Sequence, residues 1–399
     1  MEGEADLTVV GGAGHVGVPL VLAFARAGLR VNINDLNRDV LDALAAGRLA
    51  FMEEDAEPLL EAALRDRRLV FSTLPSGVTA GVPVIVTIGT PVDEFLNPVR
   101  KVVQDCIDAL LPWLSEGQLL ILRSTLYPGT TDWIAGYLAR RGKRLKIAFC
   151  PERVVQGRGI SELSEMPQII SGTSPEAEEE AARLFSLIAP EVVRVTPLEA
   201  ELAKLFNNAY RYIEFATTNE FHLIAKSAVV DYGRIRHAMR HHYPRAENIP
   251  GAGFAAGPCL FKDTMQLAAF AQNCFTLGQN AMLINEGMVL RIIDDLKARY
   301  DLASLTVGLL GMAFKPNIDD TRASLSYKFK NMLSGLAGAV LTTDPFVRTD
   351  PDLAPFVDVV DRSDLLILCT PHGVYRDADL KGKPVVDIWR FFDGASTLI

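Results

Sequence analysis

The sequence predicts an α/β protein: two doubly wound domains joined by a long central helical segment. Three observations carry this. An apolar strand pattern at 7–10 runs directly into a glycine-rich turn and an apolar helix pattern. Strand and helix patterns then alternate through residues 1–195. After a mostly helical stretch over 196–300, a second strand–turn pattern opens a smaller α/β half over 301–399. Alternation of this kind builds a mostly parallel sheet covered by helices.

Leu7-Thr8-Val9-Val10 reads as a buried strand, and Gly12-Ala13-Gly14-His15-Val16-Gly17 follows it, with a helix pattern to about Ala27. In this order the glycines have separate tasks. Gly12 permits the tight turn, Gly14 lets backbone approach a diphosphate, and Gly17 lets helix and strand pack closely. The diphosphate rests on the helix N-terminus. The fingerprint marks the first half as Rossmann-like. The second strand, 30–34, ends at Asp35, whose carboxylate can accept from ribose hydroxyls and disfavours a 2′-phosphate, so NAD is expected over NADP. Asn32 and Asn34 are unusual in a strand and leave its register open.

Further strands are expected at 69–71, 84–88, 119–123, 145–149 and 191–195, with helices near 38–46, 56–66, 98–113, 130–140 and 176–188. Three strand ends carry polar residues where such sheets bind ligands: Thr90 with Asp93, Arg123-Ser124-Thr125, and Glu152-Arg153. Each alone could be a cap or turn residue. Their recurrence points to a lined cleft in which Thr90 and Thr125 offer hydroxyls and Glu152 holds or polarises water.

A helical run from Pro197 to about Val230 places Lys204 and Asn208 on one face with Leu198, Leu202, Leu205 and Ala209. The pair can hold a developing oxyanion, or the lysine can be a buried partner of some carboxylate. Arg234, Arg236, Arg240 and His241-His242-Tyr243-Pro244-Arg245 read as a basic exposed loop, with Arg245 best suited to reach a phosphate. The adjacent histidines lack a third ligand at metal-site spacing. Helix patterns follow at 262–275 and 279–300, suited to a dimer interface or an interdomain contact.

Residues 249–267, IPGAGFAAGPCLFKDTMQL, place Cys259, Lys262 and Asp263 behind a glycine-rich approach. Glycine suits close approach to a ligand, and a nearby cation favours the thiolate. Cys259 reads locally either as a nucleophile or as a core cysteine. In the last part, a strand–turn pattern at 305–311 precedes Phe314-Lys315 and Asp320-Thr321-Arg322, and strand-like runs recur at 339–342, 357–360, 365–369 and 384–388. Lys315 and Arg322 can bind a second diphosphate.

At 399 residues the chain exceeds one core, and 49% apolar with 22% charged residues describes an ordinary globular protein. A net charge of -9 argues against a nucleic-acid partner. Five cysteines show neither metal-type nor disulfide-type spacing, no signal peptide is evident, and no apolar run is long enough for a bilayer. A cytoplasmic protein without a membrane partner is expected, with no metal.

Taken together, these motifs resemble the nucleotide-sugar 6-dehydrogenases, the family of UDP-glucose and UDP-N-acetylhexosamine dehydrogenases. The resemblance spans nearly the whole chain, from the fingerprint through Thr90-Pro91 with Asp93, Ser124-Thr125, Pro151-Glu152, Glu201-Leu202 with Lys204 and Asn208, Gly257-Pro258-Cys259 with Lys262-Asp263, to Phe314-Lys315 and Asp320-Thr321-Arg322. It implies NAD-dependent four-electron oxidation of a sugar C6 hydroxyl to a carboxylate, with Cys259 forming a thiohemiacetal and then a thioester. It implies that Lys204 and Asn208 stabilise oxyanions, that Asp263 moves a proton or orients water, and that Glu152 and Thr125 hold the hydrolytic water. Gly12, Gly14, His15, Val16, Gly17, Asp35, Thr90, Thr125 and Arg322 would contact NAD. Glu152, Arg153, Lys204, Asn208, Arg245, Gly253, Phe254, Phe314 and Lys315 would contact the UDP-sugar, Arg245 from a partner subunit of a homodimer or higher homo-oligomer. Arg153-Val154 after the Pro-Glu, and Ala255-Ala256-Gly257-Pro258 before the cysteine, point to UDP-N-acetylmannosamine or UDP-N-acetylglucosamine, with UDP-glucose as the alternative. Arg153 is expected to reach the acetamido oxygen or a phosphate. The implied setting is polysaccharide biosynthesis.

Overall fold

A computed structural model describes residues 5–94 and 97–392, which divide after Asn207 into two compact units. The first runs β1 (Leu7–Val10), α1 (Gly17–Arg26), β2 (Val31–Asn34), α2 (Arg38–Ala45), α3 (Ala56–Arg65), β3 (Leu69–Ser72), β4 (Val84–Val86), α4 (Arg100–Leu110), β5 (Leu119–Leu122) and α5 (Thr130–Arg140). It continues through β6 (Lys146–Phe149), α6 (Gly159–Glu165), β7 (Gln168–Gly172), α7 (Pro175–Phe185), β8 (Val192–Arg194) and the first turns of α8 (Pro197–Ser227). The strands form one sheet in the order β3-β2-β1-β4-β5-β6-β7-β8. Order reverses between β1 and β4, the place where such sheets bind ligands beyond their carboxyl ends. Every described pairing is parallel except β6 with β7.

The central strands of the sheet are buried on both faces. Along β5, Leu119 and Ile121 pack into one core with Phe24 and Phe185, while Leu120 and Leu122 pack into the other with Val84 and Val86. This is why the strands read as continuous apolar runs rather than alternating ones. Asn32 and Asn34 are buried and satisfied. Asn32 donates to the Gly77 carbonyl at 2.8 Å, and Asn34 donates to the Leu74 carbonyl at 2.8 Å and the Ser72 hydroxyl at 2.8 Å. They fasten the turn after β3, and β2 pairs in register with β1, Leu7 opposite Val31.

The second unit holds the rest of α8, α9 (Tyr232–Arg240), α10 (Leu260–Phe270), α11 (Thr276–Arg299), β9 (Thr306–Leu310), α12 (Leu325–Leu333), β10 (Ala339–Thr343), α13 (Phe356–Arg362), β11 (Leu365–Leu368) and β12 (Val385–Asp387). Its parallel sheet has the order β10-β9-β11-β12. The 196–300 segment divides between the two units, most of it in the second. Met288, Val289, Ile292, Ile293 and Leu296 of α11 share a core with Val307, Leu309 and Phe329. The unit boundary falls within α8, after Asn207.

Two local expectations are corrected. Residues 357–360 lie in helix α13 rather than a strand, because Val359 and Val360 are the buried stripe of one helical face against Leu310 and Leu366. Residues 232–240 are helix α9 rather than loop; the Asp231 carboxylate caps it by accepting from the Arg234 amide at 3.0 Å. No helix among the described residues is long and apolar enough to cross a membrane.

Candidate active site

In the first unit the fingerprint glycines divide as their spacing predicts. A Cβ on Gly12 would meet the Val9 carbonyl at 2.7 Å, and one on Gly17 would meet Gly12 Cα at 2.5 Å. At Gly14 the nearest atom would be the Gly11 carbonyl at 3.5 Å, so this is the position open to close approach. Val16, the N-cap of α1, gives the helix no side-chain cap, and the start of the helix offers its amides to an anion. His15 is stacked on Phe51 with centroids 4.0 Å apart. Asp35 follows β2 and accepts from the Ala13 amide at 3.1 Å and the Asn37 amide at 3.0 Å. These residues could hold a dinucleotide, with Gly14 leaving room for a diphosphate and Asp35 offering a carboxylate to a ribose.

The ends of β4, β5 and β6 are tied together. The Thr90 hydroxyl donates to the Thr125 carbonyl at 2.7 Å, and the Ser124 hydroxyl donates to the Ile88 carbonyl at 2.6 Å. In this structure the Thr90 hydroxyl proton is engaged by the Thr125 carbonyl. Arg123 is 1% exposed. It donates to Glu152 Oε2 from Nε at 3.0 Å and also from Nη2, to the Cys150 carbonyl at 3.0 Å, and to Gln168 Oε1 at 3.0 Å. Its guanidinium also lies over the Phe185 ring.

Glu152 Oε1 accepts from the amides of Arg153 at 2.7 Å and Val154 at 2.9 Å. Each oxygen thus takes two hydrogen bonds, the full complement of a carboxylate. In this structure the carboxylate ties the ends of β5 and β6 together. Arg153 turns its guanidinium to the Pro167 carbonyl, and burial lowers its pKa. That differs from the reach toward a sugar expected of it.

The long helix α8 carries half-buried Lys204 at the end of the first unit and buried Asn208 at the start of the second. Leu205 and Ala209 are buried beside them, whereas Leu198 is exposed.

In the second unit Cys259 is exposed and is the N-cap residue of α10, with its carbonyl accepting from the Asp263 amide at 2.9 Å. A helix N-terminus favours a thiolate. The other cysteines contrast with it. Burial pushes the Cys106 thiol up to about 11 and the Cys150 thiol up to about 12, and Cys369 higher still. Cys274 is the other exposed cysteine. Asp263, 0% exposed, accepts from Asn208 Nδ2 at 2.5 Å, and its other oxygen lies 3.5 Å from Lys262 Nζ. Asn208 and Asp263 therefore form one oriented pair a single turn into the nucleophile helix.

The approach to Cys259 is shaped by aromatic rings. Gly257, at φ +110°, would place a Cβ 2.7 Å from Phe314 Cδ2, and Gly253, at φ +151°, would place one 2.4 Å from Trp389 Cζ3. Phe254 is buried against Phe329 and Trp389. Gly253 and Gly257 are required by packing inside this unit, whereas Gly251 faces open space, and Phe254 is a core side chain. Phe314 and Lys315 are half-buried on the loop after β9. Arg322 pairs with Asp320, its Nη2 to Oδ2 at 2.6 Å. Its pKa is raised first by that hydrogen bond, and the Cys259 charge is a further contributor. The Gly257 amide also donates to the Ala323 carbonyl at 3.2 Å. Within the second unit Arg322 thus lies beside the nucleophile loop. Arg245 is exposed on a short 3-10 turn, Pro244–Ala246.

Arg123 and Trp389 are contributors that motif reading left unassigned. Arg123 had a signal: opposite charges, Arg123 and Glu152, at the ends of neighbouring strands. Trp389 had none, since its partner Gly253 is remote in sequence. Among the described residues no cluster of His, Cys, Asp or Glu is placed to hold a metal.

Comparison with known proteins covers both units. The UDP-glucose/GDP-mannose dehydrogenase family matches in three parts: its NAD binding domain over 5–189, its central domain over 198–287 and its UDP binding domain over 308–394. An NDP-N-acetyl-D-galactosaminuronic acid dehydrogenase of Ralstonia nicotianae is 27% identical over 94% of each chain. A UDP-D-ManNAc dehydrogenase structure from Pyrococcus horikoshii matches with TM-score 0.89 at 27% identity, over 97% of this chain and 96% of the other. A UDP-glucose dehydrogenase structure from Pyrobaculum islandicum also matches with TM-score 0.89, at 26% identity, over 100% of this chain and 98% of the other.

Proposed function

Because the chain belongs to the UDP-glucose/GDP-mannose dehydrogenase family, we propose that its NAD-dependent oxidation of a nucleotide-sugar hydroxyl is a four-electron conversion at C6, from alcohol to carboxylate, through Cys259. The observation that carries this reading is the exposed cysteine at the start of α10 with the buried Asn208–Asp263 pair one turn behind it. A hydroxyl-to-carbonyl dehydrogenase needs no such thiol.

NAD supplies the hydride acceptor for each of two oxidations. The first unit holds it at Gly12, Gly14, Val16, Gly17 and Asp35. The protein's part is then acid–base and covalent. The Cys259 thiolate adds to the aldehyde carbon, and Lys204 with the remaining amide proton of Asn208 steadies the oxyanion of the thiohemiacetal. After the second oxidation, water adds to the thioester carbon and the C–S bond breaks, returning the thiolate. Thr125 positions the water, and Asp263 keeps Asn208 aligned throughout. Arg322 keeps negative charge on sulfur favourable, while Lys315 and Arg245 meet the diphosphate of the sugar nucleotide.

The substrate we favour is a UDP-N-acetylhexosamine, UDP-N-acetylmannosamine before UDP-N-acetylglucosamine; UDP-glucose is the second reading. Arg153-Val154 and the Ala255-Ala256 turn support the first. The equal structural likeness to a UDP-D-ManNAc and a UDP-glucose dehydrogenase keeps the second in play. We further propose a cytoplasmic homodimer: α8 exposes Tyr210, Phe221 and Ile224, and α11 exposes Leu277, Leu283 and Leu290. Comparing kcat/KM for UDP-N-acetylmannosamine, UDP-N-acetylglucosamine and UDP-glucose tests the substrate. The reading expects an N-acetylated sugar to lead by at least about tenfold, and a lead by UDP-glucose would overturn it.

A further inference from the structure

Glu201 is a buried acid that the chemistry above does not use. It is 1% exposed, and burial pushes its carboxyl pKa up. Its oxygens accept from the Gly129 amide at 2.5 Å, the Thr131 amide at 2.8 Å and the Thr131 hydroxyl at 2.6 Å. Gly129 is the N-cap residue of α5 and has no side chain to cap with. The acid therefore comes from a different element, some seventy residues along the chain, to satisfy amides that an α-helix leaves open at its start.

What it joins matters more than what it caps. On one side of Gly129 lies the loop 123–129, whose Thr125 carbonyl is held by Thr90 and whose Arg123 is locked to Glu152. On the other side of the carboxylate is α8, and three residues further along it, about one turn, is Lys204. The contacts of Glu201 fix the rotation and height of this end of α8 against the loop. We propose that Glu201 is a positioning residue that sets Lys204 in register with Thr125. The proposal rests on the reading of Lys204 as the cation that steadies the oxyanion.

Steady-state kinetics on the full-length protein, with NAD and the best UDP-sugar, test it through a double-variant cycle. Glu201→Gln keeps shape and one acceptor while removing an acceptor from the helix start. The expected result is a fall in kcat of about ten- to a hundredfold, with KM for both substrates within about twofold, as for a misplaced catalytic group. In a Lys204→Ala background the same change should cost less than about twofold, because the group being positioned is gone. Thr131→Val, which removes one of the three bonds, should act in the same direction, more weakly, and should also lose its effect in that background. It serves if Glu201→Gln does not fold. Wild-type kcat in both Glu201→Gln and Thr131→Val, or an undiminished loss on top of Lys204→Ala, would overturn the proposal. If Lys204→Ala itself turns over at the wild-type rate, the reading of Lys204 falls, and the positioning role with it.

Discussion

Arg123 offers the severest test of how the first unit is held together. Its guanidinium is 1% exposed and gives two donors to Glu152, one to the Cys150 carbonyl and one to Gln168. Arg123→Met keeps length and apolar contact with Phe185 but leaves the Glu152 carboxylate buried with only two backbone amides. Removing one partner of a buried pair costs about 3–5 kcal/mol, most of it from the charge left behind. For a unit of this size each kcal/mol moves the melting point by about 2–4 °C, so a fall of about 6–20 °C is expected. Arg123→Met/Glu152→Gln removes the stranded charge while an amide oxygen still accepts from Arg153 and Val154. It should recover about half of the loss. Scanning calorimetry on the three proteins, with NAD absent, reads both effects. A single variant within about 1 kcal/mol of wild type, or a double variant no better than the single, would refute the claim that Glu152 is held as a structural ion pair.

Two further outcomes follow from the second unit. Gly257→Ala sets a methyl against Phe314 in a backbone region that costs L-residues about 1–3 kcal/mol. It should displace Cys259 and lower kcat by about tenfold or more, while NAD affinity by fluorescence titration stays unchanged; a wild-type kcat would count against the packing argument. His222 is 5% exposed, edge-on to Tyr232, and is held down at about 4 by burial, then by Lys226 and Arg390. The unfolded chain therefore takes up this proton first. The stabilisation is complete above about pH 6.5 and is lost as pH falls toward 4, by about 2 kcal/mol between pH 7.5 and 5. Urea unfolding across that range should show a slope that His222→Gln reduces, and identical slopes would exclude His222 as its source.

The sequence made the dinucleotide half readable because local chemistry and tertiary need coincide there. Gly12, Gly14 and Gly17 follow a buried strand, and each has a separate steric reason that the spacing already encodes. Shorter elements were harder. Val357-Asp358-Val359-Val360 is β-branched, and a run so short fits either period; packing of Val359 and Val360 under β9 decides for helix. Helix α9 is rich in arginine and histidine and has one buried residue, Tyr232, so its only strong signal was the Asp231 cap. At the site, Asp263 meets Asn208 through its carboxylate and the Cys259 carbonyl through its amide. Partners were less legible than positions. Thr90, Glu152 and Arg153 stand at strand ends, yet their polar groups are engaged by Thr125, Arg123 and Pro167. Those bonds depend on three-dimensional neighbours that spacing along the chain does not reveal.

If oxidation passes covalently through Cys259, the count of NADH formed per molecule of UDP-sugar consumed reveals it, in wild type and in Cys259→Ala. Two NADH and a carboxylate product are expected from the wild type. From the variant no sustained acid formation is expected, although NAD and UDP-sugar still bind. One NADH per sugar in the wild type, or acid formed at the wild-type rate by Cys259→Ala, would contradict covalent passage.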